Sequence, residues 1–415
     1  MASFEFEYAW WEYFLIPWIA GFVGYFTNVL ALQLTFYPIE YFGVKLFRLE
    51  NEPWGLFGWQ GIIPTKAKKM ASVCFDLMTE KLLSIHEIFG QLDPIRFAEV
   101  MEDSLLLMID SVITEVANEY MPTTWNKIPQ EVRDDIIVTA NQESGAFLAA
   151  FMKDMQEHVE DVVDIKELCV SACLANKELI VKIFQECGDQ EFIFIRRSGF
   201  YFGFMFGLIQ MTVWLFYPAS WILPVAGFLV GWVTNWIALK IIFEPLEPKY
   251  FLCWTIHGIF LKRQAEVSET FARVICTEIL HVRAMWDAIF TGPLHKNFFA
   301  MLRAHTLVFT DKMTAEIKPL AIAGMGSADK FNQMKESIAQ KVLEKLPDVI
   351  DASYEYTQQA LDMEATIRTK MSAISSAEFE GVLHPAFQED EIQLIALGGV
   401  LGAIVGVLQL VTIFA

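Results

Sequence analysis

"GYFTNVLALQLTFYP" (Gly24–Pro38) and "GWVTNWIALKIIFEP" (Gly231–Pro245) are nearly the same apolar phrase, written twice in one chain of 415 residues. Each copy sets a Thr-Asn pair among residues that otherwise avoid water. An amide taken out of water costs free energy unless something bonds to it, so the repetition asks what the amides meet. From Phe14 to Phe36 no residue carries a charge, and about 20 apolar residues suffice to cross a bilayer as a helix. A membrane helix over 14–37 is the expectation.

Three further spans follow from the same rule. From Ser198 to Phe243 the only charge is Lys240, and the run is too long for one crossing. It carries "YPASW" (Tyr217–Trp221) in its middle, where Pro218 breaks a helix and the aromatic residues suit a membrane interface. Two helices, 198–217 and 221–244, joined as a hairpin, account for it. The stretch 392–415 is again uncharged. Residues 1–13 hold Glu5, Glu7 and Glu12 and neither Lys nor Arg. A secretory leader begins with basic residues, so the first span reads as retained rather than cleaved.

The composition fits mixed construction. The chain is 54% hydrophobic with a mean hydropathy of +0.37, yet its net charge is -20 and its pI is near 4.8. Some segments therefore suit lipid and others water. The acidic balance argues against nucleic acid as a partner, because phosphates require a basic footprint. The six cysteines (Cys74, Cys169, Cys173, Cys187, Cys253 and Cys276) do not form a disulfide framework in a chain of this length. They read as buried thiols. An even number of spans puts 38–197 and 245–391 on one face. Near the spans that face carries Lys45, Arg48, Arg196, Arg197, Lys249, Lys262 and Arg263. The positive-inside rule then places both segments in the cytoplasm or its topological equivalent.

The duplication extends along both halves. Laying Thr27-Asn28 on Thr234-Asn235, an offset of 207 residues, also matches Pro17 with Pro224, Gly24 with Gly231, Ala31 with Ala238 and Pro38 with Pro245. "GIIPTK" from Gly61 matches "GIFLKR" from Gly258, with about ten extra residues in the first copy's loop. Gly199, Gly203, Gly207 and Gln210 fall on Gly398, Gly402, Gly406 and Gln409. Each unit reads as helix, water-soluble helical segment, helix. Two such units point the same way, related by a pseudo-twofold axis along the membrane normal. In the soluble segments Met101, Leu105, Met108, Val112 and Val116 form one stripe, and Met334, Ile338, Val342 and Leu346 form another. Alternating strand patterns are scarce, so the fold class is all-α, with four membrane helices and large helical segments on one face.

The candidate functional residues lie in two groups. Gly24, Thr27 and Asn28 recur as Gly231, Thr234 and Asn235, and the partner spans carry Gly203, Gly207 and Gln210 beside Gly402, Gly406 and Gln409. Small residues at this spacing let helix backbones approach in lipid, where packing and interhelical hydrogen bonds hold helices together. From the 1.5 Å rise, Gln210 lies roughly 10 Å from Tyr217 and Asn235 roughly 21 Å from Trp221, so within that hairpin the amides miss each other. Asn28 is expected near Asn235, and Gln210 near Gln409. Neutral amides with no charged residue within the apolar runs favour structural glue; a transport path is the alternative. The second group is basic: Lys66, Lys68, Lys69, Arg196, Arg197, Lys262 and Arg263 sit at span ends, either opening helices or touching anionic lipid headgroups.

No catalytic constellation emerges. The seven histidines show no metal spacing, and no phosphate loop, nucleophile elbow or dinucleotide fingerprint is present. No metal or cofactor is called for.

The two Thr-Asn phrases, each followed by G-I-x-P/L-x-K/R, and "LHPAFQEDEIQLIALGGVLGAIVGVLQ" at the end resemble the membrane-protein family catalogued as domain of unknown function 445. Departures are Gln33 where the second copy has Lys240, the first copy's insert, and Leu261 at the position of Pro64. The resemblance implies a multi-pass membrane protein with helical domains, and supplies no catalytic residues. The expected function is a non-catalytic scaffold that makes lipid and protein contacts within a homo-oligomer or membrane-protein complex. Lipid or small-molecule transport and a membrane-bound enzyme are the other classes.

Overall fold

The computed structural model describes residues 10–44, 52–55, 57–217, 219–251, 254–315, 318–383 and 391–413. Helices dominate. Among the described residues the long ones are α1 (Trp10–Phe36), α2 (Pro94–Tyr120), α3 (Gln130–Glu157), α4 (Asp189–Phe216), α5 (Ile222–Phe243), α6 (His295–Thr314), α7 (Ala328–Val349) and α8 (Glu391–Ile413). Local chemistry starts several of them. Asp93 caps α2 by accepting from the N–H groups of Ile95 and Arg96, with Pro94 in the first turn, where a missing N–H costs nothing. Ser327 accepts from Lys330 N–H and opens α7 in the same way.

The chain folds into two compact units, and both are discontinuous. One gathers residues 1–78, 170–275 and 367–415; the other gathers 79–169 and 276–366. This differs from the linear division expected, in which 38–197 and 245–391 were separate domains. The reason lies in the packing of the second unit, where α2 lies against both α3 and α7, and α6 against α7 and α3. Helices from 79–169 and from 276–366 thus share one core. Met101, Leu105, Met108, Val112 and Val116 are all buried, as their periodicity predicts. On α7 the buried stripe is Phe331, Met334, Ala339 and Leu346, while Ile338 and Val342 are only half-buried. Lys345 and Lys341 both reach Glu115 of α2, at 2.8 and 3.0 Å. Their bonds, first Lys345 and then Lys341, bring the Glu115 carboxyl down to about 2. This unit also holds most of the charge. It carries 31 Asp and Glu against 15 Lys and Arg, a balance of -16 out of the chain's -20.

The first unit contains α1, α4, α5 and α8, four helices long and apolar enough to cross a membrane. α1 packs chiefly on α4, and α5 on α8. The helix carrying the second apolar run begins at Asp189 rather than at Ser198. No proline stands between Gly188 and Tyr217, so the backbone stays helical through Arg196 and Arg197, and the uncharged run is only its later part. Likewise α1 starts at Trp10, ahead of the apolar run. At the hairpin between α4 and α5, Tyr217 and Trp221 are exposed, and Pro218 lies outside the described residues.

Two small ribbons were not expected. β1 (Phe42–Gly43), β2 (Trp54–Gly55) and β3 (Gly58–Trp59) form one sheet in the order β1-β3-β2; β4 (Lys249–Phe251) and β5 (Trp254–Ile256) form the other. Both sheets are antiparallel. Strands of two or three residues leave no alternation to read. Each ribbon leaves and returns to the end of an apolar helix: Gly61 N–H donates to Pro38 O at 2.8 Å, and Gly258 N–H to Pro245 O at 3.1 Å.

Candidate functional site

The predicted glycines form the contact surface of the apolar helices. Gly24 faces Gly199, and Gly203 and Gly207 face Ala20 and Pro17. In the second half Gly231 faces Gly398, Gly402 faces Gly227, and Gly406 faces Leu223 and Pro224. A Cβ built on any of these glycines would fall under 3.0 Å from the facing helix. The contact is therefore backbone against backbone, and no other residue type permits it. The seam runs between α1 and α4 and, at matching sequence positions, between α5 and α8.

The Thr-Asn pairs sit in these seams and are buried. Thr27 Oγ1 donates to Val23 O at 2.9 Å within its own helix, and Thr234 Oγ1 bonds Gly231 O at 3.3 Å. Such back-bonding satisfies a hydroxyl locally. Asn28 was expected near Asn235; among the hydrogen bonds of the two amides none joins them to each other. Asn28 Nδ2 donates to Ile195 O at 2.7 Å, and Asn235 Nδ2 to Leu394 O at 3.0 Å. Both Oδ1 atoms are buried without a hydrogen-bond partner. Each amide is aimed at the backbone of the helix across its own seam, because the glycines bring that backbone within side-chain reach. Depth arguments constrain height along a span; they do not say which way a side chain turns.

Gln210 and Gln409 do come to one place. Both line a small cavity, together with Thr27, Gly24, Gly231, Gly402 and Gly406. The space a water can occupy there is about 20 Å³, and one water needs roughly 10–15 Å³. Both glutamines are more than nine-tenths buried, and Gln409 Nε2 has no hydrogen-bond partner. The cavity has room for one water.

The basic residues divide. Lys68, Lys69, Arg197 and Lys262 are exposed; Lys66 and Arg196 are half-buried, and Arg196 Nε bonds Phe192 O at 3.2 Å. Arg263 leaves the set expected at headgroups. Its guanidinium turns inward, with both Glu191 oxygens on Nη1 at 2.8 and 2.6 Å and Glu266 on Nε and Nη2. The Arg263 and Glu191 side chains are only 15% and 4% exposed. Burial opposes the Arg263 charge, but the bonds from Glu266 and Glu191 outweigh it, and Arg263 holds the Glu266 carboxyl low. Glu191 also borders an apolar recess with Phe184, Phe192, Phe243 and Phe260. Sequence reasoning missed this pair. Its one signal was Glu191 itself, a carboxylate close before an apolar run.

The thiols are buried as expected, Cys253 lying outside the described residues. Burial pushes the Cys173, Cys187 and Cys276 thiols up to about 12, and that of Cys74 higher still. Among the described residues no cluster of His, Cys, Asp and Glu could hold a metal ion. No family model matches the chain, and neither a curated protein nor a solved structure matches it.

Proposed function

We propose that the chain is a multi-pass membrane protein that serves as a scaffold: four spans fixed by glycine seams, bearing an acidic helical unit that recruits protein partners or further copies of the chain. The observation that carries this reading is the partition of charge. The unit with the four apolar helices has a net charge of about -4, and the helical unit of residues 79–169 and 276–366 has -16. A surface of one sign steers partners of the opposite sign and repels anionic lipid. The recurrence of the seams at matching positions supports two tandem units related by an axis along the bilayer normal. The exposed Lys68, Arg197 and Lys262 at span ends support a cytoplasmic placement of the acidic unit. The resemblance to the family of unknown function is compatible with this reading and adds no activity to it.

A second reading, transport, is favoured by the cavity that Gln210 and Gln409 share. Its capacity of one water gives it the lower rank. Gentle detergent extraction followed by mass measurement and imaging separates the two. The scaffold reading predicts assemblies larger than a dimer, which dissociate when acidic residues of 79–169 are neutralised. A discrete monomer or dimer that carries solute or lipid across reconstituted vesicles would refute it.

A further inference from the structure

The ribbon after α1 carries side chains that a water-exposed hairpin does not favour. Residues paired across antiparallel strands share one face. Phe42 pairs with Trp59, and Trp59 with Trp54, so three aromatic residues form a row across the sheet. The neighbouring row is Gly43, Gly58 and Gly55. Trp59 holds the middle of the aromatic row against α1. Its ring packs on the cluster of Ala31, Ile62, Leu239, Leu394 and Ile395, and its Nε1 donates to Leu34 O at 3.0 Å. That carbonyl is one of the last four of α1, which have no partner within the helix. The row is therefore level with the final turns of an apolar span.

Its outer members are bare. Phe42 is 80% exposed and Trp54 50%. Phe57 lies in the turn that joins β2 to β3. Tight hairpins favour Asn-Gly, Asp-Gly or a glycine in such a turn. Phe57 instead adopts a φ of 58°, which bulky residues rarely do, and its side chain is 83% exposed. Large aromatic side chains displayed this way in water would be an aggregation liability. At the level of a span's end they suit the boundary between lipid headgroups and acyl chains, where aromatic residues concentrate. The exposed face of α1 (Trp18, Phe22, Phe26 and Leu30) leads to the same place.

We propose that Trp54, Phe57 and Trp59, with Phe42, form a membrane-inserting wedge, whose occupant is the lipid of the leaflet that receives the carboxy-terminal end of α1. At the matching positions of the second ribbon stand Lys249 and Ile256, and its aromatic pair is Phe251 with Trp254. The inference rests on the proposal that α1 spans a membrane.

The test uses the full chain in phosphatidylcholine–phosphatidylglycerol vesicles, in a Cys253→Ser background, the other five cysteines being buried. An environment-sensitive fluorophore is placed at Phe57→Cys, at Phe26→Cys on the exposed face of α1, and at Leu107→Cys, which is 71% exposed on α2. Phe42→Cys serves as the second variant should Phe57→Cys fail to fold. The wedge predicts that the Phe57 label, like the Phe26 label, is quenched several-fold more weakly by aqueous iodide than the Leu107 label, and that it is quenched more strongly than the deeper Phe26 label by lipid carrying a nitroxide near the headgroup. A Phe57 label quenched by iodide as fully as Leu107 overturns the wedge. So does a label shielded from both quenchers, which would mean that protein covers the hairpin. If the Phe26 label is itself open to iodide, the spanning reading falls as well.

Discussion

Replacing Gly24 or Gly231 with alanine tests the seam where the two backbones come close in each half. In an ordinary helix the change is favourable by roughly 0.5–1 kcal/mol, because glycine loses more backbone freedom on folding. Here the new methyl would meet the backbone of Gly199 or Gly398 at under 3.0 Å. Overpacking costs typically 1–3 kcal/mol, and backbone cannot yield as a side-chain tip can, so the upper part of that range applies. The net is a loss of about 1–2 kcal/mol. For a unit of this size one kcal/mol moves a melting temperature by roughly 2–4 °C, so each variant should melt roughly 2–8 °C lower. The assay is thermal unfolding in mild detergent, followed with a thiol-reactive dye that reports the buried Cys74, Cys173 and Cys187. Two internal comparisons fix the sign. Gly21→Ala faces only the Phe200 ring and backbone at 3.1 Å or more and should be close to neutral. Gly145→Ala in α3 meets nothing within 4 Å and should stabilise its unit. If Gly24→Ala and Gly231→Ala melt at or above the parent temperature, the backbone-to-backbone seam is wrong.

Other expectations can be checked on the same preparation. Arg263→Ala strands a carboxylate that is 4% exposed and should cost about 3–5 kcal/mol, whereas Arg263→Met with Glu191→Met should cost far less; equal melting temperatures for the two would contradict the buried pair. Glu115 titrates near 2 when folded against 4.5 as the reference, so its contribution is fully present above about pH 4.5 and is lost as pH falls toward 2. The stability difference between the parent and Glu115→Gln should accordingly vanish in acid, and a difference that persisted at pH 2 would refute the Lys345 and Lys341 pairing. Cys173, Cys187 and Cys276, held near 12, should resist maleimide at pH 8 until the protein unfolds, with prompt reaction as the contrary result.

Much of the architecture could be read from residues alone, because lipid imposes simple rules. An uncharged run of span length, a proline with aromatic residues between two runs, and glycines at four-residue spacing each have one physical cause, and the four apolar helices follow from them. What was not legible depended on direction or on distant partners. Asn28 and Asn235 were placed at matching heights, yet their side chains turn to Ile195 and Leu394 carbonyls, a choice fixed by which backbone the glycines bring close. The segments between the apolar runs carry clear helical stripes, but a stripe does not name its partner, so the joint core of α2 and α7 was hidden. Glu191 and Arg263 are far apart in sequence and carry no motif. The ribbons were missed because strands of two or three residues give no periodicity.

The most direct test of the account is an experimental density map of the full chain in lipid nanodiscs. It should show α1, α4, α5 and α8 within the disc, with Gly24 against Gly199 and Gly231 against Gly398 at backbone contact. A map in which these glycines face lipid, or in which any of the four helices lies outside the bilayer, would contradict it.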